Sequence, residues 1–311
     1  MKPTVSIIIP AYKIAAYIDE TLQSVFAQTF TDYEVIVIND GSPDTADFEH
    51  ILRPYCERVV YIKQENRGAA AARNRGLLTA RGEFVAFLDG DDLWSPNYLE
   101  EQVKFIESSG WDLVYADALI IGDSPLAGRT VMETAPSNGE VTVRSLLSAT
   151  CNVITSGVLA RKQPILDCGL FDEALRNSQD FDLWVRLAKR GARLAYQRKV
   201  LLQYRCHDDS LSGDAINRVV RELRVYDKIE RCYDLSSEER ADLSSRLENL
   251  RAELELETGK MHLAQGNFAD ARNAFETANK HYRKAKLTIA ILLLSFSPRV
   301  FSYLYTRILR K

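Results

Sequence analysis

The sequence lacks features that mark four classes of protein: disulfide-rich, membrane-spanning, secreted and nucleic-acid-binding. Its five cysteines are odd in number and form no CxxC pair, which favours reduced thiols in the cytoplasm over a disulfide framework. The longest apolar stretch, LTIAILLLSF (Leu287 to Phe296), is too short to span a bilayer. The apolar run in MKPTVSIIIPAY ends at Pro10 without a cleavage site, so we interpret it as a strand and not as a signal peptide. The formal net charge of −3 predicts no general attraction to nucleic acid.

Acidic residues are also absent after Glu276, whereas basic residues continue to the end of the sequence. These cations are Lys280, Arg283, Lys284, Lys286, Arg299, Arg307, Arg310 and Lys311. Leucines and aromatics lie among them, so residues 285–311 are predicted to form a basic amphipathic segment. Such a segment either lies on an anionic membrane surface, which would place the protein at the inner face of the cytoplasmic membrane, or docks on the rest of the protein. Both interpretations stay open.

Short apolar runs alternate with segments of helical period up to about residue 120. Strands are predicted at VSIIIPAY, YEVIVINDGS, VVYIKQ, FVAFLDG and DLVYADALII, with helices over 18–30, 45–55, 68–79 and 97–109 between them. Strands that are apolar throughout and separated by helices indicate a mainly parallel sheet with helices on both faces. The next segment, 122–142, is rich in Gly, Pro, Ser and Thr and is predicted to be a mobile loop.

The second half of the sequence changes character. A strand is predicted at ITSGVLARK, a helix at FDLWVRLAKRG and an extended segment over 192–207, after which the pattern is helical from Asp214 onward. The segment GNFADARNAFETA (266–278) is similar to the second half of one tetratricopeptide repeat, which predicts a helical hairpin packed on its neighbours. We therefore expect two domains, residues 1–213 and 214–311.

Three carboxylates follow an apolar strand in AFLDGDDLW, namely Asp89, Asp91 and Asp92. Asp89 and Asp91 share a face if the strand geometry persists, and they repel unless one is protonated or a cation lies between them. Oxygen ligands select hard ions such as Mg²⁺ or Mn²⁺, and an open metal position at a strand end suits phosphate oxygens. The alternative is that Asp92 or Ser95 caps the helix that begins near Pro96, although this does not require Asp89.

Two more polar turns, PAY (10–12) and NDGS (39–42), are expected at the same edge of the sheet. Ligands of parallel sheets bind beyond the carboxyl ends of the strands, so the three turns predict a binding site. Tyr12 offers an aromatic face for stacking, and the alternative is a core tyrosine. Asp40 can accept a hydrogen bond from a ligand, and the alternative is a residue that only forms the turn.

Together with ENRGAAAARNRG and SQDFDLWVRL, these segments resemble the family 2 glycosyltransferases, in order, over about residues 4–210. The resemblance implies the GT-A fold, a Rossmann-like α/β architecture, followed here by an α-helical C-terminal extension. It implies an inverting enzyme, dependent on Mn²⁺ or Mg²⁺, with a nucleotide-sugar donor that we expect to be a UDP-sugar. The implied acceptor is a hydroxyl of a glycan or lipid-linked glycan, in the synthesis of cell-surface polysaccharide or glycolipid.

The resemblance also implies roles for individual residues. Asp180 matches the catalytic base, and the alternative for it is a helix N-cap. The implied donor-binding residues are Pro10, Ala11, Tyr12, Asp40, Arg73, Asp89 and Gly90, with Asp40 accepting from uracil N3–H. The implied metal ligands are Asp91, Asp89 and His207; a purely structural histidine is the alternative for the last. Gln179 stands where the family has a glutamate, which leaves acceptor positioning open.

Two other functions remain as alternatives. A nucleotidyltransferase acting on sugar phosphates would need a glycine- and lysine-rich first loop, which PAYKIAAY does not supply. A degenerate transferase could serve as a helical scaffold, but the intact Asp40, Asp89, Asp91 and Asp180 argue against this.

Overall fold

The computed structural model describes residues 2–207 and 215–298, and the chain divides into two compact units, Met1–Ser210 and Leu211–Lys311. In the first unit, strands alternate with helices along most of the chain. The strands are β1 (Val5–Ala11), β2 (Tyr33–Asp40), β3 (Val59–Gln64), β4 (Phe84–Phe87), β5 (Leu93–Trp94), β6 (Leu113–Gly122), β7 (Val158–Arg161) and β8 (Leu194–Cys206). The helices are α1 (Ile18–Phe26), α2 (Thr45–Leu52), α3 (Ala69–Thr79), α4 (Tyr98–Ser109), α5 (Val131–Thr134), α6 (Val143–Leu147), α7 (Lys162–Asp167) and α8 (Gln179–Lys189).

All eight strands belong to one sheet with the order β3-β2-β1-β4-β7-β6-β8-β5. The pairs β1–β2, β1–β4, β2–β3 and β6–β8 are parallel. The strand β7 is antiparallel to both β4 and β6, and the two-residue β5 is antiparallel to β8. The α/β prediction is confirmed: four of the seven strand pairs are parallel, three of them among β1 to β4 and the fourth between β6 and β8.

The central strands are apolar throughout because both of their faces are covered. Every residue of β4 is buried, and so are six of the seven residues of β1, the exception being the partly exposed Pro10. Their side chains form a continuous core with residues of α1 and α4. Since this core fixes the strands, it also fixes the polar turns that leave their carboxyl ends.

Several predicted boundaries are wrong, for a different reason at each position. The helix predicted over 18–30 ends at Phe26, since the side chain of Gln28 turns to the backbone of Ser95 (Nε2 to O, 2.8 Å) and Leu99 (N to Oε1, 2.9 Å). The loop predicted over 122–142 includes α5, which a capping box between Thr130 and Glu133 stabilises. The strand β5 was not predicted because two residues carry no periodic signal.

The second unit is helical in its described part, with α9 (Ala215–Cys232), α10 (Ser237–Ala264), α11 (Phe268–Tyr282) and α12 (Ala285–Phe296). A capping box between Ser236 and Glu239 starts α10. The helices α10 and α11 form the predicted hairpin, in which Gly259 lets the helices approach so closely that a Cβ there would lie 2.6 Å from the Phe275 ring. The hairpin packs against α9 and α12, as predicted.

Candidate active site

Hydrogen bonds from other elements fix the turn Asp89–Asp92 that follows β4. The Asp92 amide donates to the Asp89 carbonyl at 3.1 Å and closes the turn. The hydroxyl of Thr21, buried in α1, lies 2.9 Å from the Gly90 carbonyl oxygen and 3.0 Å from that of Asp92. A Cβ on Gly90 would lie only 2.1 Å from Cδ1 of Ile14, so the end of that side chain packs directly against the turn. The backbone of the turn is therefore fixed by protein contacts alone.

The three carboxylates of the turn have different partners. Asp89 pairs with the buried Arg73 of α3 (Oδ1 to Nη2, 2.5 Å). Asp91 Oδ2 lies 3.0 Å from Nε2 of His207, directly after β8. Asp92 is buried and accepts a hydrogen bond from the backbone amide of Arg205 at 2.8 Å. The structure thus joins Arg73 to Asp89 and His207 to Asp91.

The interpretation of Asp92 as a helix cap is wrong. The helix α4 begins at Tyr98, and its N-cap residue, Asn97, makes no side-chain capping bond. Asp92 lies too far back along the chain because β5 separates it from α4, and its carboxylate instead fastens the turn to β8.

The crowded acids resist ionisation. Burial raises the pKa of Asp91, and the charge of Asp89 adds to this, while the hydrogen bond from His207 opposes it. Burial, followed by the charges of Asp91 and Asp89, raises the pKa of Asp92 well above its usual range. A cation at this turn would lower the cost of ionising these groups.

Asp40 lies at the end of β2 and is buried. Its Oδ1 accepts from the side chain of Gln64 (2.7 Å) and the amide of Arg67 (2.9 Å), and its Oδ2 accepts from the amide of Gly68 (2.8 Å). These bonds join the end of β2 to the start of α3. Gly41 also brings the chain close, because a Cβ there would lie 2.6 Å from the amide nitrogen of Asn66, at a φ of +63°.

The turn after β1 is tied to the turn after β2. Ala11 is buried, whereas the Tyr12 side chain is 47% exposed, so Tyr12 is not a core tyrosine. The amide of Lys13 donates to the Ser42 hydroxyl at 2.6 Å, and the amide of Ala15 donates to an Asp44 carboxylate oxygen at 2.9 Å. Two of the three predicted turns are therefore in direct contact, and the partly exposed Tyr12 ring lies beside them, with the Lys13 ammonium 5.7 Å from its centre.

Asp180 lies in the first turn of α8, where the N-cap residue is Ser178. The N-cap alternative for Asp180 is therefore wrong. One carboxylate oxygen accepts from the Thr155 hydroxyl at 2.5 Å, and the other from the amide of Phe181 at 2.8 Å. Gln179 beside it is buried, which favours a neutral amide over the charge of a glutamate.

Thr155 and its neighbour Ser156 are site residues that the sequence analysis missed. They form a 3₁₀ turn with Gly157, ahead of β7, where a strand was predicted. The Thr155 hydroxyl binds Asp180, and the Ser156 hydroxyl accepts from the Asp89 amide at 3.1 Å. Two consecutive residues thus connect the first turn of α8 to the acidic turn after β4. In the sequence, the one sign of Thr155 and Ser156 is a short run of small polar residues before an apolar strand.

Two of the three predicted metal ligands, Asp91 and His207, are in contact. Within residues 2–207 and 215–298, no group of three or more His, Cys, Asp and Glu side chains converges as a metal site. Asp91 and His207 do converge, whereas Asp89 turns to Arg73. One carboxylate and one imidazole suit a cation whose other positions are filled by substrate phosphates and water, as is usual for Mg²⁺ in phosphate sites. The pair is therefore chemically compatible with the predicted ion.

Comparison with known proteins places the chain in a family. Residues 6–167 match the model of glycosyl transferase family 2. A glycosyltransferase of Rickettsia typhi is 31% identical over 226 residues, covering 70% of this chain and 68% of that protein. TuaG of Bacillus subtilis, named for teichuronic acid biosynthesis, is 30% identical and covers 75% of this chain and 90% of its own length. WfaP of Escherichia coli, named a UDP-Glc:alpha-D-GlcNAc-diphosphoundecaprenol beta-1,3-glucosyltransferase, is 29% identical, with 72% and 86% covered.

Solved structures show the same fold at low identity. TarS residues 1–349 of S. aureus, in complex with UDP, align with a TM-score of 0.61 and 18% identity over 90% of this chain and 91% of that one. The mannosyltransferase PcManGT of Pyrobaculum calidifontis, in complex with GDP-Man and Mn²⁺, aligns with a TM-score of 0.65 and 17% identity over 98% and 87%. Family model, relatives and fold agree: the chain is a glycosyltransferase of family 2 with the GT-A fold.

Proposed function

We propose that the chain is a metal-dependent, inverting glycosyltransferase that transfers a sugar from a UDP-sugar to a hydroxyl of a glycan or lipid-linked glycan. The observation that carries this proposal is the Thr155–Ser156 connection, which holds the Asp180 carboxylate and the acidic turn at one edge of the sheet. Inversion needs a base and a leaving-group site on opposite sides of the sugar. Two acidic centres, each held by one residue of the same dipeptide, suit this requirement.

Asp180 is proposed to be the base that takes the proton of the acceptor hydroxyl. The Thr155 hydroxyl and the Phe181 amide use one hydrogen bond on each carboxylate oxygen. A carboxylate can accept about four hydrogen bonds, so each oxygen keeps capacity for an acceptor hydroxyl. The two contacts orient the group while leaving it able to accept the proton.

Asp91 and His207 are proposed to hold Mn²⁺ or Mg²⁺, with Asp89 beside them. When bound, the cation would stabilise the negative charge that develops on the leaving diphosphate. Arg73, which pairs with Asp89, fixes that carboxylate and adds a positive charge at the edge of the site. The raised pKa values of Asp91 and Asp92 support the proposal, because a cation would offset the cost of crowding these acids.

The nucleoside is proposed to bind where the first two turns meet. Tyr12 offers its exposed ring for stacking, and Pro10 and Ala11 offer backbone groups. Asp40 already accepts three hydrogen bonds. One further lone pair remains for a base N–H such as uracil N3–H. The UDP complex of TarS and the UDP-Glc in the name of WfaP support a uridine donor, whereas the GDP-Man complex of PcManGT supports a guanosine donor for that protein.

The donor assignment can be tested by calorimetric titration of UDP and GDP in the presence of Mn²⁺ and, separately, of EDTA. We expect UDP to bind with Mn²⁺ and only weakly with EDTA, and Asp91→Ala to weaken the binding of both nucleotide and metal. Binding of GDP but not UDP would overturn the uridine assignment, and equal binding in EDTA would overturn metal dependence. The anomeric configuration of the product, read by proton NMR, tests inversion, since a retained configuration would contradict it.

A membrane surface is the proposed location of the lipid-linked acceptor. Within the described ranges, no helix has the length and apolar character that a membrane crossing requires. The helix α12 packs Leu287, Ile291 and Leu294 on its neighbours but exposes Leu292 and Phe296, the latter by 83%. The sequence that flanks this exposed apolar face has many basic and no acidic residues, which suits an anionic lipid surface.

Liposome flotation tests this location. Leu292→Glu and Phe296→Glu should lower the fraction of protein that floats with vesicles containing phosphatidylglycerol. Thr277→Glu is the control, since it adds the same charge at an exposed polar position of α11, outside the exposed apolar face of α12. Equal flotation of all four proteins would contradict the proposal.

A further inference from the structure

The side chain of His207 contacts Tyr17, a residue outside the predicted metal and donor sites. His207 is the residue directly after β8, and the backbone of β8 is paired with β6 up to Cys206. Because His207 lies beyond the last paired residue, strand pairing does not fix the direction of its imidazole toward Asp91. The Tyr17 ring contacts the imidazole directly, and Arg205 contacts the Tyr17 ring and the backbone of Asp91.

The Tyr17 ring stacks on the imidazole of His207. Their centroids are 4.8 Å apart and the ring planes are inclined by 24°. Tyr17 is the residue before α1, the helix whose Thr21 binds the acidic turn. Stacking on a ring held at a helix start restricts the imidazole to one plane, and in that plane its Nε2 lies 3.0 Å from Asp91 Oδ2.

Arg205 connects the same elements from the side of β8. Its backbone amide donates to Asp92, and its Nε donates to the Asp91 carbonyl oxygen at 2.9 Å. Its guanidinium also pairs with Glu20 of α1 and lies 5.2 Å from the centre of the Tyr17 ring. One residue therefore contacts the acidic turn, the first helix and the ring on which His207 stacks.

We propose that Tyr17 and Arg205 are positioning residues that hold the His207 imidazole in the orientation in which it and Asp91 take up one divalent cation. The inference rests on the proposed metal dependence. Neither residue would touch the cation or the donor. Each acts through His207 or Asp91, as partners of metal ligands commonly do.

The experiment combines metal binding with a direct view of the ring. Mn²⁺ affinity is measured on the full chain with UDP present, from the loss of the free Mn²⁺ signal in electron paramagnetic resonance. Two-dimensional ¹H–¹³C NMR of the metal-free protein follows the histidine ring resonances; the chain has only 4 histidines, and His207→Gln assigns the relevant one.

Tyr17→Leu should weaken Mn²⁺ binding about tenfold, the lower end of the effect of removing a partner of a metal ligand. It should also shift the His207 ring resonances, because the ring current of Tyr17 is lost. Tyr17→Phe keeps the ring and should restore both observations. The control is Tyr55→Leu, which removes a ring that stacks on Phe26 of the same helix.

Arg205→Gln is the second variant, in case Tyr17→Leu does not fold; it keeps the backbone bond to Asp92 and should also weaken Mn²⁺ binding. Wild-type Mn²⁺ affinity in folded Tyr17→Leu or Arg205→Gln would overturn the positioning role of that residue. Absence of Mn²⁺ binding by the wild-type protein would overturn the proposed metal dependence, and the inference with it.

Discussion

Two substitutions of aspartate by asparagine in α8, at Asp180 and Asp182, should have different effects: the first should lower kcat and the second should lower stability. At Asp180, asparagine keeps the shape of the side chain and both contacts, because its carbonyl can accept from the Phe181 amide and its amide can donate to the Thr155 oxygen. We expect the unfolding free energy of Asp180→Asn to stay within about 0.5 kcal/mol of wild type. Its kcat should fall by about 10²–10⁴-fold, or roughly 3–5 kcal/mol in the barrier, since an amide cannot take the acceptor proton.

At Asp182 the same substitution should act on stability. This carboxylate is fully buried and pairs with Nε of Arg186 at 2.9 Å, while the guanidinium also donates to the carbonyls of Cys168 (2.7 Å) and Leu170 (2.6 Å). Removing one partner of a buried ion pair costs about 3–5 kcal/mol, and we expect about 3 kcal/mol because the Arg186 side chain is 18% exposed. For a unit of the size of Met1–Ser210, in which α8 lies, the melting temperature should fall by about 6–12 °C.

The assays are nucleotide release at saturating donor for kcat, and differential scanning calorimetry for the melting temperature. Both variants lie in one helix and remove one negative charge, so each is the control for the other. Turnover by Asp180→Asn within tenfold of wild type would refute the assignment of the base. A wild-type melting temperature for Asp182→Asn would refute the reasoning on the buried pair.

Three further predictions test the surroundings of the site. Gly41→Ala should destabilise the protein by about 1–3 kcal/mol in urea unfolding, because alanine is strained at a φ of +63° and its Cβ would lie 2.6 Å from the backbone nitrogen of Asn66; an unchanged midpoint would contradict this. Asp40→Asn should weaken UDP binding and cost about 1–3 kcal/mol of stability, since an amide group would face donors that the carboxylate now satisfies; calorimetry with UDP checks this. Burial raises the pKa of Glu34, but hydrogen bonds from Ser6 and Arg81 and the charge of Arg81 outweigh it and lower the pKa overall. The ionised Glu34 therefore stabilises the fold above about pH 4.3, and this contribution is lost as pH falls through the lower pKa of the folded state. The urea midpoints of wild type and Glu34→Gln should accordingly converge on acidification.

The sequence was most informative where local pattern and burial agree. The apolar runs of β1, β2 and β4 predicted strands buried on both faces, and the polar turns after them had to meet at one edge of the sheet. That reasoning gave the α/β class and brought the turns at Tyr12, Asp40 and Asp91 into one candidate site. The hairpin of α10 and α11 was predicted from the similarity of GNFADARNAFETA to half of a tetratricopeptide repeat, which is a weaker signal.

Contacts between distant parts of the chain could not be predicted in this way. The local pattern offered a helix cap as an alternative for Asp92, but in the structure its carboxylate binds the amide of Arg205, 113 residues further along. The segment that contains Thr155 and Ser156 has the pattern of a strand start, yet its hydroxyls bind α8 and the acidic turn.

The sequence by itself determined which chemical groups this protein has and the sheet edge at which they gather, because side-chain periodicity and the position of each polar turn after its strand are local properties. Only the tertiary structure decided how each group is used. It pairs Asp89 with Arg73, turns His207 toward Asp91 beside the Tyr17 ring, and connects Asp180 to the acidic turn through one dipeptide. Hydrogen bonds and ion pairs depend on distances of a few ångströms between residues far apart in the chain, and these distances exist only once the core has packed.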